Sequence, residues 1–191
     1  MVQTWDARVA AVWADDSLTD EERIVLIDAI AAERAGDDPR ALFERAGARD
    51  AAGLEREAES LYRAAIAAGL SGPELPQAVI QLASTLRNLG RVEEALDLLR
   101  PEYERGAAVE LRDEVAAFYA LTLVSAGQPD AAASVALATL APHLTRYRPL
   151  GRGLRPGAHR AARSAYGEHE RVARTPPVDS MSRNEHGSTH G

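Results

Sequence analysis

The sequence predicts an all-α fold, a right-handed solenoid of about three helical hairpins behind an N-terminal helix pair and ahead of a disordered tail. Three observations carry this. Gly53, Gly90 and Gly127 stand 37 residues apart, and an alanine follows each of them five residues later, at Ala58, Ala95 and Ala132. A fixed period of this size is the signature of a repeat architecture. The apolar fraction of 46% leans on alanine and leucine, with only 5% aromatics, a bias toward helix over sheet. The stretch from Ile80 to Leu99, IQLASTLRNLGRVEEALDLL, reads as a helix, a glycine turn and a second helix.

In chain order, Trp5, Val9, Val12 and Trp13 share one face of a first helix. The tryptophans are expected as core or capping residues. Thr19 and Glu22 have the spacing of a capping box for a second helix running to about Ala35. Residues 1–36 are therefore expected as a helix pair packed on the first repeat. Asp38 can cap and Pro39 suits a first helical position, which opens a repeat with helices Pro39 to about Ala52 and Glu55 to about Ala68. Ala58, Leu61, Tyr62, Ala65 and Ile66 point inward. Ser71 and Glu74 have capping-box spacing for the next helix. The second repeat turns Val79, Leu82, Ala83, Leu86 and Leu89, then Val92, Ala95, Leu96 and Leu99, to the core. Pro101 should kink or end its helix. In the third repeat Ala116, Tyr119, Ala120 and Leu123 face inward from a helix at about Leu111 to Ala126. A last helix from Pro129 carries Ala132, Ala133, Ala136 and Leu140 inward, with Pro142 closing it. The repeats span about 37–72, 73–109 and 110–147.

Glycine at the turn, alanine five residues on, and a large residue four after that at Tyr62 and Leu99 resemble the tetratricopeptide repeat. Through PRALFERAGARDAAG, AESLYRAAIAAGLSG and IQLASTLRNLGRVEEALDLL the chain is similar to the compact bacterial three-repeat group of that family, group five. Arg45 and Arg49 depart from the pattern, at positions usually apolar, and so does Ala136, where Tyr62 and Leu99 are large. The resemblance implies a non-catalytic scaffold that binds a protein or peptide in its concave groove, lined by the outward positions of each repeat's first helix. Carried over by position, that lining is Arg40, Phe43, Gly47, Asp50 and Ala51, then Gln77, Ile80, Ser84, Arg87 and Asn88, then Glu114, Ala117, Leu121, Val124 and Ser125. Phe43, Ile80 and Leu121 would be apolar anchors, Arg87 and Asn88 directional groups. The positions used by chaperone-binding members to clamp a terminal carboxylate hold Phe43, Gly47, Gln81, Glu114 and Phe118, so that clamp is missing.

Charge divides along the chain. Residues 1–140 carry 13 arginines against 25 acids, and residues 141–191 carry 9 against 4. An acidic body repels nucleic acid, which only the basic tail could bind, weakly. Without cysteine there is no thiolate chemistry, and all five histidines lie at 143 or beyond, so the body has no histidine base. Paired acids such as Asp37-Asp38 and Glu93-Glu94 stand at helix starts, where acids are favoured anyway. No cofactor or metal is expected. No run nears the roughly 18 apolar residues of a membrane span, and the start lacks the order of a secretory signal, so the expectation is cytoplasmic. Two further readings stay open: an oligomeric or structural helper associating through its terminal repeat, and a hydrolase or enzyme accessory using acidic pairs.

From 148 on the chain turns to proline, glycine and arginine with little apolar periodicity, which predicts disorder. The resemblance implies a covering helix there instead. An out-of-frame extension would account for the change, and would leave the third repeat with an uncovered end.

Overall fold

The computed structural model describes residues 3–106 and 111–144, all within the unit Met1–Arg155. The tail predicted to be disordered lies outside the described residues. Among those described are eight α-helices and no strand: α1 Trp5–Trp13, α2 Asp20–Ala31, α3 Pro39–Ala51, α4 Glu55–Ala67, α5 Glu74–Asn88, α6 Val92–Arg105, α7 Arg112–Ser125 and α8 Pro129–Leu140. A 3-10 turn, Ala141–His143, follows α8.

The hairpins close by one device. Gly53, Gly90 and Gly127 have φ of 71°, 80° and 72°, the left-handed region that a residue with a Cβ resists. The next residue then donates its backbone N–H to the carbonyl five residues back: Leu54 to Arg49 at 2.9 Å, Arg91 to Leu86 at 2.9 Å, Gln128 to Leu123 at 2.9 Å. This Schellman closure ends the first helix and aims the second back along it. Ala58 and Ala95 are fully buried and Ala132 nearly so, because a methyl is what fits where the paired helices approach.

Side chains set the starts of the first three helices. Thr4 caps α1 and Asp38 caps α3, and Thr19 with Glu22 forms the expected box at α2. The box expected of Ser71 and Glu74 does not form. Helix α5 begins at Glu74 without a side-chain cap, and the Glu74 carboxylate pairs with Arg40 instead. Pro101 does not end α6, which runs on to Arg105 and stops at Gly106, φ 65°.

The core forms three clusters. Val9, Val12, Ile27 and Ala48 join α1 and α2 to one face of α3. The largest runs from Leu42 on α3 through Tyr62, Leu82 and Leu99 to Val115 on α7. Leu96, Ala116, Leu123, Ala132 and Val135 join α6, α7 and α8. Helix α8 is rotated from the expected phase: Ala132, Ser134 and Val135 are buried, while Ala133, Ala136 and Leu140 are exposed. Its sequence, PDAAASVALATL, has almost no polar face against which a phase could be read.

Candidate functional site

Helix α3 positions most of the site, and it is held by the N-terminal pair. Asp28 on α2 accepts from Arg45 Nε at 2.9 Å and from Arg49 Nη1 and Nη2 at 3.0 and 2.8 Å. Burial pushes the Asp28 carboxyl up, but the hydrogen bonds from Arg49 and Arg45 outweigh it and hold the group below its ordinary value. The two arginines that break the apolar pattern are thus the ion pair that docks α2 on α3. On α1, Trp13 donates its indole N–H to Glu44 Oε2 at 2.7 Å, and Trp5 donates to the Ile30 carbonyl at 2.9 Å.

Between α3 and α5 lies a cleft of about 610 Å³. One wall is the stripe Arg40, Phe43, Glu44, Gly47, Asp50 and Ala51, spaced to share one face of α3. The other is Glu74, Gln77, Gln81, Ser84 and Asn88 on α5, with Trp13 and Tyr62 closing the sides. Gly47 keeps the floor open. A Cβ there would stand 3.3 Å from Cζ2 of Trp13 and 3.9 Å from the Tyr62 hydroxyl, so a side chain would press on the indole and close the floor.

The charges in the cleft are arranged unequally. Glu44, 5% exposed, is held by Arg40 at 2.9 Å and by Trp13, and Arg40 also pairs with Glu74. Asp50 has only hydroxyls beside it. Thr85 Oγ1 lies 3.0 Å from its Oδ1, and the Tyr62 hydroxyl lies 3.4 Å from its Oδ2 while donating to Gln81 Oε1 at 2.7 Å. Burial pushes the Asp50 carboxyl up, against the pull of those hydroxyls. Burial, with the Asp50 charge beside it, also raises the Tyr62 hydroxyl.

Of the residues expected to line a groove, Arg40, Phe43, Asp50, Gln77, Ser84 and Asn88 meet in this cleft. Ile80 does not: it is 5% exposed and belongs to the main core. Phe43 is buried too, tilted against Tyr62 with ring centroids 6.2 Å apart. Arg87 lies outside the lining. Its Nη2 donates to Asn88 Oδ1 at 3.1 Å, and its Nε is buried without a partner. Glu114 and Leu121 are exposed on α7, away from the cleft. Sequence reasoning missed Trp13, Glu44, Tyr62 and Glu74 as cleft residues, and placed Gln81 only among the positions of the missing clamp. The four-residue spacing of Arg40 and Glu44 could have shown that pair, whereas nothing local shows that α1 brings Trp13 over Gly47.

Among the described residues no helix is long and apolar enough to cross a membrane, and no group of three or more acidic, histidine or cysteine side chains could hold a metal ion. A family described as Tetratrico peptide repeat matches residues 39–152, more than half of the chain, and the chain belongs to that family. No curated protein and no solved structure matches it.

Proposed function

We propose that this tetratrico peptide repeat protein is a non-catalytic interaction module that takes an extended peptide, or a segment of a partner protein, in the cleft between α3 and α5. The family points to protein–protein interaction. The observation that carries the finer reading is the cleft itself: concave, with the partly exposed Trp13 indole at its side, and edged by the directional groups of Gln77, Ser84 and Asn88. Gln77, Gln81, Ser84 and Asn88 recur along one face of α5, so successive residues of an extended chain could each meet a polar side chain. The test is selection of binders from a random peptide library on the full chain, followed by titration against the double variant Gln77→Trp/Ser84→Trp, which fills the cleft from its wall. Selected peptides should lose at least tenfold in affinity while the thermal melt is unchanged. Equal affinity for the variant would refute the assignment.

A second reading rests on a different surface. Leu121 and Val124 on α7 and Leu137 and Leu140 on α8 are 47%, 55%, 47% and 49% exposed. Apolar exposure of this kind at the last repeat suits self-association. Sedimentation of the full chain across a hundredfold concentration range tests it. A dimer that dissociates in Leu137→Glu/Leu140→Glu supports association here, and a monomer throughout rules it out.

A further inference from the structure

We infer that the cleft between α3 and α5 selects a peptide carrying a basic side chain, whose cationic head sits beside Asp50 with its stem against Trp13. This rests on the peptide-binding reading and specifies its ligand.

The argument is from charge and shape together. One guanidinium, Arg40, faces three carboxylates in the cleft, Glu44, Asp50 and Glu74, which leaves the cavity with two negative charges in excess. Arg40 is committed to Glu44 and Glu74. Asp50 is the carboxylate of the three for which no cation stands within ion-pair distance among the described residues, although it is half-buried and its charge is opposed by burial. Its neighbours Thr85 and Tyr62 are neutral. Thr85 Oγ1 is also 2.9 Å from the Gln81 carbonyl, and its one proton can serve only one of the two acceptors. A carboxylate in that position gains from a cation far more than an exposed one does, because little solvent screens the pair.

The walls suit the same guest. The Trp13 indole and the Tyr62 hydroxyl flank the bare backbone of Gly47, where even a Cβ would stand 3.3 Å from the indole, so the ring edge stays open to the cleft. A flat guanidinium or a lysine stem can lie against the partly exposed indole with its charge toward the carboxylate. An acidic side chain has no charged partner here, since Arg40, the one cation lining the cleft among the described residues, is already shared between two acids, and a neutral one leaves Asp50 without a counter-charge. Selection therefore acts by repulsion and by unmet desolvation as well as by attraction.

The probes are N-acetyl-arginine amide and its neutral isostere N-acetyl-citrulline amide, titrated into the 15N-labelled full chain. The arginine probe should shift amides around Gly47, Asp50, Tyr62 and Gln81, and should bind at least tenfold more tightly than the citrulline probe. Asp50→Asn should bring the two within about twofold, whereas Glu94→Gln, an exposed acid on α6, should leave the preference intact. Ser84→Lys is the second variant, used whether or not Asp50→Asn folds: a tethered ammonium in the cleft should weaken the arginine probe in the same way. Equal binding of both probes, shifts spread over the acidic surface, or a preference that survives both variants would overturn the inference. Library-selected peptides that bind the cleft without a basic residue would overturn it and leave peptide binding standing. Selected peptides that ignore the cleft-filling double variant would instead remove the peptide reading, whatever the arginine probe does.

Discussion

Asp28 and Asp50 lie on adjacent helices, and their surroundings move them in opposite directions. Asp28 faces two guanidinium groups and is held below its ordinary value, the hydrogen bonds from Arg49 and Arg45 outweighing burial. Asp50 faces hydroxyls, and burial raises it. A carboxyl depressed in the fold contributes stability that is present above the unfolded value of about 3.9 and is lost as pH falls through the lower folded value. Asp28→Asn should therefore cost about 1–2 kcal/mol at pH 7, since Arg49 is only 11% exposed and keeps only the more distant Glu57 as a charged partner, while the pair's partial exposure screens it. In chemical denaturation the gap to wild type should close below about pH 4. A gap that persisted unchanged to pH 2 would mean that geometry, not charge, holds α2 on α3. Asp50 runs the other way. Its charge opposes folding once pH rises through the raised folded value, so Asp50→Asn should compare more favourably with wild type at pH 7 than at pH 4. The same measurement, repeated on that variant, reads the sign directly.

Helix α6 runs past the stop that its own sequence offers. Pro101 has no N–H to give to the Asp97 carbonyl, and an interior proline typically costs a helix about 3 kcal/mol. The helix continues because Leu96 and Leu99 before it are fully buried and Tyr103 beyond it stacks on Tyr119 at 5.0 Å. Pro101 itself is exposed, so Pro101→Ala should stabilise by about 1–3 kcal/mol and raise Tm by about 2–4 °C for each of these. If calorimetry showed no rise, the proline would be what seats Tyr103 on Tyr119. What could be read in advance at this scale follows from how local each cause is. The turns at Gly53, Gly90 and Gly127 are legible because the left-handed backbone requirement sits in the glycine itself. The Thr19 box is legible because both partners lie three residues apart. Ser71 and Glu74 satisfy the same pattern and fail it: α5 begins at Glu74 itself, which leaves Ser71 outside the capping position, and Glu74 pairs with Arg40, 34 residues away. Arg45 and Arg49 look like errors in an apolar stripe until α2 brings Asp28 beside them. The cleft was half legible for the same reason: α3 and α5 positions follow from periodicity, but Trp13 arrives from a helix outside the period, and Ile80 turned inward against the positional rule.

At the scale of the described molecule, the three core clusters are linked in series through helices that serve two of them. Helix α3 gives Ala48 to the N-terminal cluster and Leu42 and Ala46 to the central one, and α6 gives Leu99 to the central cluster and Leu96 to the last. Helices pack chiefly on their sequence neighbours, with α3 on α5 and α5 on α7 as the longer links. In such a quasi-linear array stability is a sum of local terms and neighbour interfaces, so opening can begin at an end. The end at α8 buries only Ala132, Ser134 and Val135, while Leu137 and Leu140 are about half exposed. The centre buries Tyr62, Leu86 and Leu99 completely. Native-state hydrogen exchange should accordingly find the α8 amides opening at lower free energy than those of α3 to α6. Two substitutions separate this from all-or-none unfolding. Val135→Ala should lower protection in α8 alone, whereas Leu99→Ala, a large-to-small change in a filled core, should cost about 2–5 kcal/mol and lower protection from α3 through α7 together. If Val135→Ala lowered protection equally in α3 and α5, the clusters would act as one cooperative unit. The cleft would then be as stable as the whole, with no terminal repeat free to open while a ligand stays bound between α3 and α5.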